Sequence, residues 1–409
     1  VTARSATALR EVVICSPLRT PVGRMGGALA SISALTLAET VLGALLERTG
    51  LDPAAVDGVI AAQGYPTMEA PAFGRVAALN VGFPVTTTGY QLDRRCGSGL
   101  QAVMNAAMEV QTGVADVVVA LGAESMSNAP LYTVEGRRGF GGAGLMLHDA
   151  LSRGRETVGG RRFPTPEGNV GSAERLRAEY GISREAQDAL ALRSHERAVA
   201  AQQSGAFDAE LVPVEVPGRR ESVIVGRDEH PRADTTLDAL GALRPILLRS
   251  DPDATVTAGN ASGQNDAAAA CIVTTPERAA ELGLRPTLRL VSWAVAGNDP
   301  LRFGVAPVPA ANLALARAGI RFADLDVIEL NEAFAVQVLA CLADWGLDAD
   351  DPRLNPRGSG ISIGHPIGAT GIRMLATLAH ELPALDGTLA LETMCIGGGQ
   401  ALAAVFERA

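Results

Sequence analysis

A chain of 409 residues, 47% hydrophobic and carrying 45 glycines, can bury more than one core, which excludes a disordered or fibrous protein. Its formal net charge of −10 offers no basic footprint, so neither nucleic acid nor a membrane surface is expected as a partner. All 35 basic residues are arginine, and the absence of lysine excludes Schiff-base chemistry and the lysine-dependent phosphate loop.

In chain order, VTARSATALR at 1–10 has no apolar core of a secretory signal and reads as a frayed tail. No apolar run reaches the ~20 residues of a membrane span. A strand is predicted at EVVIC, 11–15. TGLDPAAVDGVI at 49–60 then aligns without gaps with AGIRFADLDVIE at 318–329, pairing Gly50 with Gly319, Leu51 with Ile320, Val56 with Leu325 and Asp57 with Asp326. Each copy follows an Ala/Leu-rich helical stretch and leads into a β-branched strand, so the chain reads as two similar α/β halves. Beyond RCGSGLQAVMNA, the apolar residues Leu100, Val103, Met104, Ala107 and Met108 predict a helix that stops at Gly113. DVVVALG (116–122), LRLVSWAV (288–295) and TLALETM (388–394) read as buried strands.

Between Asn128 and about Ser250 glycine and arginine clusters surround one long helix at 184–203, an excursion suited to covering a substrate. The expected organisation is a first half at 1–127, an inserted covering domain at 128–250, completion of the first half at 251–284 and a second half at 285–409. GFGGAG at 139–144 fits the dinucleotide pattern G-x-G-x-x-G, but no strand precedes it and no helix opens after it, so it reads as a mobile loop.

The five cysteines, Cys15, Cys96, Cys271, Cys341 and Cys395, include no C-x-x-C pair and read as reduced thiols of a cytosolic compartment. Cys96 and Cys395 each precede a glycine-rich turn, Gln-Ala and an apolar run. Both are therefore expected at equivalent strand-to-helix turns, where a helix N-terminus favours thiolate and glycine N–H groups can face an oxyanion. A lone thiol of this kind would read as core packing, and Cys15, Cys271 and Cys341 are assigned there. His195 and His380 lie on helical patterns, and among them, His148, His230 and His365 no two stand at metal-ligand spacing, so no metal is expected. His365, in GISIGHPIGATGIR, sits in a loop that Pro366 and three glycines keep out of a helix, which makes it a candidate base or oxyanion donor. In IELNEAFAVQ, Asn331 and Glu332 follow a buried strand and read either as a helix cap or as site residues.

Taken together, CGSG at Cys96, NEAF at Asn331, GHPIGATG around His365 and CIGGG at Cys395 resemble the thiolases, as do SPLRTPVGRMGGAL, ALGAESMSNAP and TVTAGNASGQNDAAAA. The resemblance covers nearly the whole chain. It implies a five-layer αβαβα core of two duplicated α/β halves with an inserted loop domain, and coenzyme A as a substrate rather than a resident cofactor. It also implies Cys96 as the acylated nucleophile, His365 as its activator and Cys395 as the acid/base at the α-carbon. Asn331 would hold a water that forms one oxyanion hole with His365, and the N–H groups of Cys96 and Gly397 would form the other. Arg232, Ala258 and Ser262 fall where family members contact coenzyme A. Family members are homodimers or homotetramers.

Two departures from the family pattern stand out. Asn169 and Val170 replace the His-Met of short-chain members, which argues against a pocket specialised for acetoacetyl-CoA. Arg357 and Ser359 replace part of a common Asn-Gly-Gly-Ala run, with no functional account from sequence. The reading is a degradative 3-ketoacyl-CoA thiolase of broad or unusual acyl preference, with fatty acid β-oxidation as the expected setting, cleaving its substrate, or running the reverse Claisen condensation, by ping-pong acyl transfer. The alternatives are a biosynthetic acetoacetyl-CoA thiolase, a ketoacyl synthase, against which Cys395 argues, and an inactive lipid carrier, which would have lost part of the constellation.

Overall fold

The structure, a computed structural model, describes residues 9–139 and 144–409. Most of the expected N-terminal tail and the centre of GFGGAG lie outside the described residues. The first half runs β1 (Val13–Arg19), α1 (Ala34–Thr49), β2 (Gly58–Ala62), α2 (Phe73–Val81), β3 (Thr88–Leu92), α3 (Ser98–Thr112) and β4 (Val117–Ser125). An excursion carrying α4 (Ala150–Thr157), α5 (Gly168–Tyr180) and α6 (Arg184–Gln203) follows, and β5 (Asn265–Thr274) completes the half. The second half runs β6 (Pro286–Gly297), α7 (Pro307–Ala318), β7 (Val327–Leu330), α8 (Ala335–Trp345), α9 (Thr370–Ala384), β8 (Leu389–Ile396) and β9 (Gln400–Arg408).

The strands form one mixed sheet in the order β7-β8-β9-β6-β1-β5-β4-β2-β3, with Gly23–Arg24 beside β5. Its two halves repeat the same order outward from the β1–β6 junction. Where the first half has β3, the second has only a parallel bridge from Ile328 to Leu354. The aligned glycines do the same job in both copies: Gly50 ends α1 at φ 65° and Gly319 ends α7 at φ 72°, left-handed caps that a side chain would strain.

Burial sorts the helices into layers. α1 buries one stripe, Leu37, Ala38, Val41, Leu42 and Leu45, against the outer face of the first half-sheet. α7 and α8 cover the outer face of the second. α3 is buried nearly all round and packs with α9 in a core that takes in strands of both halves, so it belongs to the middle of the molecule. The result is a five-layer αβαβα core. The N-termini of α3 and α9 touch through glycine: a Cβ on Gly99 would lie 2.8 Å from Gly368 O and 3.0 Å from Gly371 N.

The expected equivalence of Cys96 and Cys395 fails here. Cys96 does lie between a strand and a helix, in the single turn Arg95–Gly97 ahead of α3. Cys395 is on β8, and after Gly397–Gly399 the chain returns as β9, so QALAAV is strand and the segment after this thiol opens no helix. An alanine-rich apolar run does not distinguish strand from helix, and the positive φ values of Gly398 (86°) and Gly399 (79°) set the reversal. In the repeat, the place of Cys96 ahead of the central helix is taken by the loop of His365 ahead of α9.

The excursion is fastened to the first half by a buried arginine. Arg19 on β1 donates to Glu210 at 2.5 Å and to both oxygens of Asp228 at 2.7 and 3.0 Å.

Candidate active site

A cavity of about 330 Å³ lies at the meeting point of α3, α9 and the excursion. Cys96, Asn169, Val170, Ala258, Ser262, Ala333, Phe334, His365 and Ile367 are among its lining residues. The sequence candidates Cys96, His365, Ala258 and Ser262 thus meet in one space. Arg232 lies in an adjoining cavity of about 300 Å³ that shares Ala258, beside His195 and His230. Those two imidazoles stack with centroids 6.4 Å apart, and His195 Nδ1 accepts from the Arg232 N–H at 3.3 Å.

Cys96 sits on a strained turn, with Arg95 at φ 44°, and its sulfur is faced by the N–H groups of Gly397 and of Cys96 itself. Burial nevertheless dominates and pushes the thiol above its ordinary pKa, although Gly397, Arg95 and the local N–H pull it down. This corrects the expectation of a stabilised thiolate: the resting group is a thiol. Cys395, fully buried, is raised well above the ordinary value by desolvation and then by Cys96 and Cys341, which keeps it a proton donor.

The His365 imidazole is driven down to about 3, first by burial and then by the charge of Arg373. Its Nδ1 lies 2.7 Å from Thr370 Oγ, which donates to the Pro366 carbonyl at 2.9 Å. That network assigns the proton to Nδ1 and leaves Nε2, which has no partner among the described residues, with a free lone pair. A buried thiol and a neutral imidazole in one cavity can exchange a proton as the sulfur attacks, without a standing ion pair.

Three residues that sequence reasoning missed hold this loop. Asn265 accepts the His365 N–H at 2.9 Å and donates to Gly23 O at 3.0 Å. Glu124 is fully buried and accepts from the N–H groups of Gly64, Tyr65 and Gly368 at 2.8, 3.1 and 3.0 Å, clamping the two loops that flank Cys96. Desolvation raises its pKa to about 7 against those three donors. Thr370 fixes the ring. The available signal was a carboxylate and an amide inside otherwise apolar strand sequence, ALGAES and NDAAAA.

Asn331 is buried with Nδ2 3.5 Å from His365 Nδ1, and its Oδ1 has no partner among the described residues. Glu332 caps nothing. It accepts from Ser194 Oγ at 2.6 Å, Asn355 Nδ2 at 2.9 Å and the Ile361 N–H at 3.2 Å, joining α6 to the stretch before His365. The unusual Arg357 and Ser359 acquire a structural role: Arg357 pairs with Glu381 and donates to Ala206 O at 2.6 Å, and Ser359 accepts from Arg373 at 3.2 Å. Cys15, Cys271 and Cys341 are fully buried in the core.

Models of known families match both halves, the thiolase N-terminal domain over residues 12–277 and the thiolase C-terminal domain over 284–408. The chain belongs to the thiolase family. It is 45% identical, over 98% of its length and 99% of the relative, to beta-ketothiolase BktB of Cupriavidus necator. Beta-ketoadipyl-CoA thiolase of Pseudomonas aeruginosa is 41% identical over 98% of this chain and 99% of that protein. The crystal structure of Bacillus anthracis acetyl-CoA acetyltransferase superposes with a TM-score of 0.92 at 40% identity, covering 99% and 100% of the two chains. This thiolase is a coenzyme A-dependent acyltransferase.

Proposed function

We propose that this thiolase cleaves 3-ketoacyl-CoA through an acyl enzyme on Cys96. His365 Nε2 takes the Cys96 proton as the sulfur adds to the C3 carbonyl. The C2–C3 bond then breaks, its electron pair passing to the enolate of acetyl-CoA, and Cys395 protonates C2. The second coenzyme A gives its thiol proton to the Cys395 thiolate and attacks the acyl carbon. Cys96 leaves and recovers its proton from His365, which restores the starting state. The acyl oxygen is held by the N–H groups of Cys96 and Gly397, and the enolate oxygen by His365 with a water placed by Asn331. Each lost oxyanion donor costs about 10²–10³ in rate. Coenzyme A reaches Cys96 past Ser262 and Ala258, with Arg232 further out in the adjoining cavity.

The observation that carries this reading is the shared cavity of Cys96 and His365, with the His365 Nε2 lone pair unpaired. Asn169 and Val170 at its wall support a degradative enzyme over one dedicated to acetoacetyl-CoA. The relatives are named for different acyl groups, so the pocket has to choose among them. The open outer edge of β3, with Tyr90 and Met108 exposed nearby, supports a homodimer or homotetramer. Five unpaired cysteines support a reducing, cytoplasmic compartment.

The test is thiolysis of 3-ketoacyl-CoA substrates from four carbons upward, comparing the wild type with Cys96→Ala and Cys395→Ala. Turnover that collapses in both variants is expected; turnover surviving in Cys96→Ala would overturn the assignment.

A further inference from the structure

β7 and β8 carry a cluster of buried charge that the acyl-transfer steps do not use. Glu329 and Glu392 are register partners on these parallel strands, so both side chains leave the same face of the sheet from backbones roughly 4.8 Å apart. That face is the central layer: Val327 and Ala390, two residues before them, and Met394, two after Glu392, lie in the core that α3 and α9 share. Both glutamates are fully buried, and none of their four carboxylate oxygens has a hydrogen-bond partner among the described residues. Two ionised carboxylates so placed repel with no donor to offset them, and the pair therefore keeps a proton. Desolvation pushes Glu329 up to about 8 and, together with the charge of Glu329, Glu392 well above its ordinary value.

The cation that both glutamates feel is Arg373 on α9. It is almost completely buried; its Nη2 donates to Ser359 Oγ at 3.2 Å, while Nε and Nη1 have no partner among the described residues. The other charged groups facing this space have partners of their own. Glu210 and Asp228, from the excursion, share Arg19, and Glu381 on α9 pairs with Arg357. Glu332, ahead of α8, accepts from Ser194, Asn355 and the Ile361 N–H, and from β5 only the Cys271 thiol faces Glu392. No carboxylate among the described residues pairs directly with Arg373, so the two glutamates act on it through charge rather than contact. Arg373 in turn bears on the site. Its charge is the second cause, after burial, of the lowered basicity of His365, and Ser359, which it holds, belongs to the loop that leads to His365.

We infer that Glu329 and Glu392 share a single proton, and that the one negative charge left on the pair offsets Arg373 so that His365 stays basic enough to take the Cys96 proton. They are positioning residues, since neither touches the reacting atoms, and this role rests on the thiolase reading above. Sharing makes the two redundant. With one replaced by glutamine, the remaining carboxylate has no like-charged neighbour, ionises and supplies the same charge; with both replaced, Arg373 is left uncompensated.

The experiment compares Glu329→Gln, Glu392→Gln, the double variant and the double variant carrying Arg373→Gln, in thiolysis and in urea unfolding of the full-length enzyme. Each single variant should lower kcat by no more than about 3-fold and the double by roughly 10-fold or more, the equivalent of one unit of basicity at His365. Adding Arg373→Gln should recover most of that loss, because the uncompensated charge is then gone. Single losses that multiply to the loss of the double, or a further fall in the triple variant, would reduce the cluster to packing and overturn the proposal. The shared proton is read separately from stability. A carboxyl whose folded pKa is about 8 holds a proton that the unfolded chain releases above about 4.3, so its contribution is complete below about pH 4.3 and is lost as pH rises through 8. Wild type should therefore lose more stability between pH 6 and 9 than either single variant, and parallel curves overturn the sharing. A wild type that cleaves no 3-ketoacyl-CoA refutes the acyl-enzyme reading and with it the role toward His365, while the urea curves decide the shared proton by themselves.

Discussion

The contact between the N-termini of α3 and α9 sets the spacing of Cys96 and His365, and Gly99→Ala tests it. The added methyl would lie 2.8 Å from Gly368 O where an ordinary contact is 3.4 Å or more, a shortfall of about 0.6 Å, with Gly371 N and Ile372 N at 3.0 and 3.2 Å on either side. All three neighbours are backbone, so no rotamer relieves the clash and the two helix ends must part. Overpacking of this size costs about 1–3 kcal/mol, against about 0.5–1 kcal/mol gained by removing a helical glycine, for a net loss of up to about 2.5 kcal/mol. Misplacing reacting groups by ~1 Å costs about 10²-fold, so a 0.6 Å separation should lower kcat by roughly 10-fold or more. The assay is thiolysis beside a urea unfolding curve. Gly43→Ala in α1 is the control: nothing lies within 4 Å of its Cβ, and it should gain about 0.5–1 kcal/mol with unchanged turnover. Wild-type kcat in Gly99→Ala, or a loss of stability with full activity, would refute the claim that this contact positions the site.

Glu124→Gln can keep one oxygen where the carboxylate serves three N–H donors with two. Urea denaturation should show a loss of about 1.5–3 kcal/mol, and unchanged stability would remove Glu124 from the loop clamp. The His365 pKa is depressed to about 3, so between that value and its ordinary ~6.5 the unfolded chain binds more protons than the folded one. The stability contributed by the neutral ring is therefore complete above about pH 6.5 and is lost as pH falls toward 3. Wild type should lose more stability than His365→Gln between pH 7 and 4.5, and parallel curves would contradict the depressed value. In Cys395→Ala, thiolysis should fall by about 10²–10⁴ while exchange of label between acetyl-CoA and free coenzyme A persists, since that exchange needs no proton at carbon. Loss of both reactions would assign Cys395 to the acylation step instead.

The internal repeat, the buried strands, the helix after Cys96 and the long helix of the excursion could be read from local sequence, because glycine caps and apolar periodicity are short-range signals. The motifs around Cys96, Asn331, His365 and Cys395 were likewise visible, and with them the family. Tertiary structure alone decided what those residues are to one another. RCGSGLQAV and MCIGGGQALAAV look alike along the chain, yet one enters a helix and the other a strand, since pairing of β9 with β6 and β8 overrides a pattern that fits either state. The repeat partner of Cys96 is the loop of His365, and the two meet because glycine lets α3 and α9 touch in the central layer. Protonation was also decided in three dimensions. A helix end near Cys96 suggests thiolate, but burial outweighs a partial charge, and only packing reveals how much water each group has lost.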